Sequence, residues 1–357
     1  MTTRTLVFEL HHLGDAVLAI PFLRAAAAQG QVRVVCTASV AGMLRAFVPE
    51  VSTIVAAPTW VGRCFQAATA LRRSAPQVAV SAWSDARVHV AMRLTGAPRR
   101  IGFPMTETNY YASEIPWRHA NLRRGQQLER AAGSVGFPLL TDPLARRDRL
   151  ASHLSNWNLI AERVGHSMSL AVPWFEPPPS ALPDGVAEFI AQQHAEGRLV
   201  WAVHPGGRLP TKRWPTERFN ALLSGLSREG NISVLAIESP DGPALTPIGP
   251  RQLRCATDSH AALAALLARV DGLCGNDSYP AHVAAALGKV VVPIFGSGRP
   301  EWFAPFGAEQ NVVQRDICPH HPCVDRCRMP STVCLEAVTV SDVMEKIRAA
   351  PLRRGGR

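Results

Sequence analysis

Three parts of this sequence combine residue types that could do chemistry: an aspartate at a strand-to-helix turn, a lysine behind paired glycines, and a polar turn that opens a helix. Asp15 follows Gly14 at the end of a short apolar strand and precedes an apolar helical run. A carboxylate at a helix start is held ionised by the dipole and by backbone N–H groups. Two roles fit Asp15: a helix N-cap, or a general base that takes a proton from a hydroxyl in reach. Gly14 lets backbone approach a ligand closely. His11 and His12 read either as polar ligand contacts or as plain loop residues.

The stretch 204–215 starts at His204 and sets Gly206 and Gly207 before Arg208, Lys212 and Arg213. Consecutive glycines bring N–H groups to phosphate oxygens, and a lysine adds a compact positive charge. The spacing is not that of a P-loop. Trp214 either packs beneath this loop or stacks on a base. The run Gly275-Asn276-Asp277-Ser278-Tyr279-Pro280-Ala281-His282 reads as a polar turn followed by a small-residue helix, with proline early and Gly288 late. Asp277 or Ser278 can cap that helix, and its remaining N–H groups favour an anion.

These residues need parallel sheets to hold them. Apolar strands are expected at 5–10, 32–36, 53–56, 78–80 and 100–102, with helices at 16–29, 41–47, 65–73, 86–94, 126–135 and 155–164. Residues 103–125 read as an irregular loop carrying Tyr110, Tyr111, Trp117, Arg118, Arg123 and Arg124. The segment 173–185 holds five prolines and closes on Asp-Gly, which marks a linker. Alternation then resumes, with helices at 186–194, 216–228 and 259–268, strands at 199–203, 232–237, 290–295 and 312–314, and a last helix at 341–349. Repeated strand–helix units make an α/β chain of two Rossmann-like halves. We expect an N-terminal Rossmann-like domain at 1–172, the linker at 173–185, a C-terminal Rossmann-like domain at 186–338, and a helix with a basic tail at 339–357. Two such halves facing each other leave a cleft at their strand carboxyl ends, where function is expected.

Composition narrows the class. At 357 residues, with 47% hydrophobic and 18% charged content, the chain is globular and long enough for two cores. No apolar run is long enough to cross a bilayer, and the first residues lack a signal-peptide layout, so a cytoplasmic location is expected. The net charge is +10, and residues 1–160 carry 18 Arg, no Lys and nine acids. That excess suits an anionic partner or a solvated basic surface. No basic stripe interleaved with aromatics appears, so nucleic acid is not expected. Of eight cysteines, Cys36, Cys64, Cys255 and Cys274 read as buried thiols. Cys318, Cys323, Cys327 and Cys334 are clustered with His320 and His321. They suit either a structural Zn or Fe site or a set of reduced thiols.

Taken in order, the stretch 10–21 with Leu13-Gly14-Asp15 and Pro21, the loop with His204-Pro205-Gly206 and Lys212-Arg213-Trp214-Pro215, and the run 275–288 followed by Phe295-Gly296 resemble the signature motifs of glycosyltransferase family 9, the bacterial lipopolysaccharide heptosyltransferases. The resemblance implies a GT-B architecture and transfer of heptose from ADP-heptose with inversion, without a catalytic metal. It implies Asp15 as catalytic base and Lys212 as the cation on the donor phosphates, with Asp277, Ser278 and His282 around the diphosphate and sugar. His204, Gly206, Gly207, Glu238 and Tyr279 join the expected donor site. His11, His12, Gly14, Arg118, Arg123 and Arg124 form the expected acceptor site. The implied acceptor is an anionic lipid-linked core glycan at the inner face of the cytoplasmic membrane, met by a peripherally associated enzyme. Glycosylation of protein side chains and a non-catalytic sugar-nucleotide-binding scaffold are the alternative readings. The chain departs from the pattern at Tyr279, where glycine is usual, at His11-His12, at Ser297-Gly298-Arg299, and at Glu238-Ser239-Pro240-Asp241.

Overall fold

Long β-branched and aliphatic runs bounded by helices build two parallel sheets. The computed structural model describes residues 3–73, 75–115, 118–238, 242–246 and 249–350. Trp117, Asp241 and the basic tail at 352–357 lie outside them. The chain divides into two compact units, Met1–Ala171 and Val172–Arg357.

The N-terminal unit runs β1 (Thr3–Glu9), α1 (Leu13–Leu18), α2 (Ile20–Ala27), β2 (Gly30–Cys36), α3 (Ala38–Phe47), β3 (Ser52–Val55), α4 (Trp60–Gln66), β4 (Val78–Val80), α5 (Ala86–Leu94), β5 (Arg99–Gly102), α6 (His119–Ser134), β6 (Asp142–Pro143) and α7 (His153–Val164). Its strands order β3-β2-β1-β4-β5-β6, all parallel. Leu6, Val7 and Phe8 on β1 are buried on both faces of the sheet, as a covered parallel sheet requires.

The C-terminal unit runs α8 (Val186–Ala195), β7 (Leu199–His204), α9 (Thr216–Leu226), β8 (Ile232–Ile237), β9 (Gln252–Cys255), α10 (His260–Leu267), β10 (Gly272–Asn276), α11 (Tyr279–Ala286), β11 (Val290–Ile294), α12 (Pro300–Phe303), α13 (Val333–Ala337) and α14 (Val340–Ala349). Its sheet orders β11-β10-β7-β8-β9, again parallel. Trp201, Trp214, Phe219, Leu222, Leu335 and Ile347 lie in one core on that sheet.

Several expectations need correcting. The helix expected at 16–29 is two helices: it starts earlier, at Leu13, and changes course at Ala19, just before Pro21 in the first turn of α2. The strand expected at 312–314 is a single bridge, Ile294 to Val313. The short strands β6 and β9 were not anticipated. Residues 173–185 open with Trp174 and Phe175 buried, and the Trp174 N–H donates to the Ala286 carbonyl, so this end of the proline-rich segment is part of the C-terminal core. Cys64 is partly exposed rather than buried.

Candidate functional site

The C-terminal unit gathers its expected residues at the carboxyl ends of β7 and β10. Asn276 closes β10 and is fully buried. Its side-chain N–H groups donate to the carbonyls of Pro205 (2.7 Å) and Gly206 (3.2 Å). Its side-chain oxygen accepts from the Trp214 N–H at 3.0 Å. One buried amide thus ties both ends of the 204–214 loop to the start of α11. Gly275 is required here, because a Cβ would come within 2.4 Å of the His204 carbonyl oxygen. Trp214 is buried and donates its indole N–H to the Val338 carbonyl, so it packs under the loop.

On that frame sits an ion pair. The Lys212 ammonium lies 2.5 Å from Asp277 Oδ2, with Asp277 almost fully buried. His282 is buried on α11 and senses both charges; burial first, then Lys212, pushes its imidazole down to about 4 against the opposing pull of Asp277. Its Nδ1 has no hydrogen-bond partner among the described residues. His204 is buried as well, which lowers its pKa to about 4, and its Nδ1 lies 3.4 Å from Ser278 Oγ. Both rings are neutral at pH 7. Ser278 holds the N-cap position of α11 without a side-chain cap bond, so neither Asp277 nor Ser278 caps in the expected way. The α11 N-terminus, one ammonium and two neutral imidazoles form a surround suited to an anion bearing hydroxyls.

Tyr279 is turned away from the turn. Its hydroxyl meets His260 Nδ1 at 3.0 Å, and the two rings pack edge to face against α10. Glu238, at the end of β8, pairs with Arg254 at 3.0 Å on the neighbouring strand.

The loop bearing the cysteine cluster reaches the same turn. Val324 has a φ of +54°, a conformation costly for a β-branched residue. Its carbonyl accepts from Thr211 (3.0 Å) and Ser297 (2.6 Å), while its N–H donates to the Ser297 carbonyl. Thr211 precedes Lys212, so this loop buttresses the cation. Among the described residues, no group of three or more His, Cys, Asp or Glu is arranged to hold a metal ion. The Zn or Fe site expected at Cys318, Cys323, Cys327 and Cys334 is therefore not supported. All four are free thiols, and burial first, then the neighbouring cysteines, pushes Cys323 up to about 12.

In the N-terminal unit, Asp15 is buried in the first turn of α1, three residues after the N-cap position. That position belongs to His12, which makes no side-chain cap bond, so Asp15 is not an N-cap. His11 stacks on Trp83 at 4.0 Å. Burial there drives the His11 imidazole down to about 4. Trp83 in turn packs against His153 (4.4 Å) and Tyr111 (5.6 Å). Glu9, one strand residue from the turn, is buried and accepts from the His11 N–H at 3.3 Å. Burial, then the neighbouring Asp15 carboxylate, raises its pKa to about 8. Sequence reasoning passed over Glu9, Trp83 and His153. The usable signal for Trp83 was its place just beyond β4, which pairs with β1. Gly14 is half-buried on α1, and His12 is exposed. Arg118 lies at the start of α6, with Arg123 and Arg124 exposed along it.

No helix among the described residues is long and apolar enough to cross a membrane. Residues 181–332 match the family model of glycosyltransferase family 9 (heptosyltransferase). None of the curated proteins matches the chain. Among solved structures, the chain is similar to the ADP-heptose lps heptosyltransferase II of E. coli, at 18% identity and a TM-score of 0.61 over 97% of this chain and 98% of that one. A family 9 glycosyl transferase from Veillonella parvula gives 17% identity and 0.64 over 97% and 96%. The E. coli heptosyltransferase WaaC with ADP gives 15% identity and 0.60 over 97% of both. These likenesses establish the α/β fold with its two parallel sheets as that of the GT-B heptosyltransferase structures.

Proposed function

We propose that this chain, a glycosyltransferase by the family 9 domain it carries, moves a heptose from ADP-heptose to a hydroxyl of an anionic, lipid-linked lipopolysaccharide core glycan, with inversion. In this reading the N-terminal unit serves the acceptor and the C-terminal unit the donor. Asp15 accepts the proton of the acceptor hydroxyl as its oxygen attacks the anomeric carbon. The bond from that carbon to the diphosphate oxygen breaks, and its electron pair leaves with ADP. Attack on the face opposite the leaving group inverts the configuration.

The departing diphosphate gains negative charge. Lys212 and the N-terminus of α11 stabilise that charge more in the transition state than in the ground state. The N–H groups of Gly206 and Gly207 donate to the phosphates. Asp277, Ser278 and the buried, unpaired Nδ1 of His282 take the sugar hydroxyls and phosphate oxygens. His204 and Glu238 complete the donor contacts, and Tyr279 stands beside them at the start of α11, its ring packed on His260 of α10. His11, His12, Gly14, Arg118, Arg123 and Arg124 face the acceptor. The N-terminal excess of arginine suits its phosphates, which arginine pairs bidentately. No metal takes part in the reaction as proposed, and the enzyme works in the cytoplasm, at the inner face of the membrane.

The observation that carries this reading is the Lys212–Asp277 pair, fixed at the start of α11 by Asn276 beside an unsatisfied buried histidine. A donor panel read by thermal unfolding tests it. ADP-heptose should raise the unfolding temperature by roughly 5 °C at saturation. Equal protection by unrelated nucleotide sugars, or none by ADP-heptose, would contradict the donor assignment.

A further inference from the structure

Helix α4 is inside out. None of its residues is buried, yet its polar side chains point to the protein. Gln66 donates to the Val55 carbonyl (3.0 Å) and accepts from the Ala57 N–H (3.1 Å). Arg63 donates to the Ala57 carbonyl at 2.8 Å. The residues left to solvent are Trp60, Val61 (75% exposed) and Phe65 (70% exposed), joined by exposed Val55 at the end of β3. Thr59 caps the helix by accepting from the Gly62 N–H, so the exposed face is fixed in place. Large apolar side chains exposed singly are ordinary, but a contiguous set on one helix face marks an interaction surface.

The chain segment that carries this face has charges of one sign. No Asp or Glu occurs between Glu50 and Asp85, and the only charges in that span are Arg63, Arg72 and Arg73. Arg72 and Arg73 are exposed. Tryptophan and phenylalanine flanked by arginine suit the boundary between acyl chains and anionic headgroups. The position suits it too. Parallel β3, β2 and β1 lie side by side, and α4 and α1 leave the same carboxyl edge of that sheet. The end of β3, from which the chain runs into α4, is thus two strand spacings, roughly 10 Å, from the end of β1, from which it runs into the turn before Asp15.

We infer that the exposed face of α4 docks on an anionic lipid bilayer, seating Trp60, Val61 and Phe65 among the headgroups with Arg72 and Arg73 on the phosphates. The inference rests on the reading that the acceptor is lipid-linked. It names the surface that would bring such an acceptor to Asp15.

Co-sedimentation of the full chain with vesicles of phosphatidylcholine, with and without phosphatidylglycerol, tests it. The wild type should bind the anionic vesicles, and salt should weaken that binding. The double variant Val61→Asp with Phe65→Asp should lose binding by about tenfold or more, and Arg72→Ala with Arg73→Ala by several-fold. Protection by ADP-heptose against thermal unfolding should be unchanged in both variants, which shows that they fold. Full vesicle binding by the Val61→Asp, Phe65→Asp variant would overturn the proposal, as would equal binding of the wild type to neutral vesicles. A wild-type dimer that this variant dissociates, without vesicle binding by either, would assign the face to self-association instead. Failure of ADP-heptose to protect any form would count against the donor assignment and would leave the vesicle result standing by itself.

Discussion

The turn from β1 into α1 and the turn from β10 into α11 are built alike and furnished differently. Each ends a buried parallel strand, passes through a short polar segment and starts a helix that presents its N–H groups. The N-terminal turn gathers two buried carboxyls, Glu9 and Asp15, under a stack of His11 and Trp83. The C-terminal turn gathers a lysine, two neutral histidines and an amide that pins the facing loop. In the proposed reading the first surround handles a proton and the second receives an anion, so that one backbone device would serve two chemistries with side chains deciding which.

The largest effect should come from Asp15→Asn. If the N-terminal turn does the proton chemistry, transfer falls about 10²- to 10⁴-fold while ADP-heptose still protects against unfolding. Near-normal turnover would move the base elsewhere and end the division of labour. Lys212→Met strikes the other turn. It should lower both donor protection and turnover, the latter by about 10²-fold or more, since it removes charge that stabilises the leaving group. Donor protection equal to the wild type would take the phosphates away from this turn.

Glu9→Gln sharpens the contrast through pH. The Glu9 carboxyl is raised to about 8, by burial and then by Asp15. Between its unfolded value of 4.5 and about 8, the folded chain holds a proton that the unfolded chain has released. The contribution of Glu9 to stability is therefore greatest in acid and falls as the pH rises through that window. Glutamine removes this loss. The variant should match the wild type near pH 5 and exceed it by a few kcal/mol near pH 9 in denaturant unfolding. A constant difference across that range would show that Glu9 titrates normally.

Tyr279→Phe should have the smallest effect. It deletes the bond to His260, costs about 1 kcal/mol of stability and leaves donor protection as it was, since the ring packs against α10 and away from the turn. Loss of donor protection would instead make the hydroxyl a donor contact.

The strands were legible where an apolar run was long, as at Ile232–Ile237, and the helices where the helical period was clear, as at Ala86–Leu94; both fall where the pattern put them. The two-residue β6 and the edge strand β9 have too few side chains to show a period. The residues of the turn into α11 were legible as motif members, but their bonds were not. Asn276 acts on Trp214 across 62 positions, and Thr211 meets Val324 across 113. Such partners are chosen by topology, not by local propensity. Tyr279 looked misplaced in sequence because a glycine left out of view what the ring could do. The structure supplies His260 as its partner, 19 positions away. The cysteine spacing suggested a metal, whereas the fold uses that loop's backbone, at Val324, to brace the lysine turn.

The most direct test is the anomeric configuration of the product formed from ADP-heptose and a delipidated core-glycan acceptor, read by NMR. A heptoside of inverted configuration is expected, formed only when Asp15 is intact. A product of retained configuration, or release of free heptose with no glycoside, would contradict it.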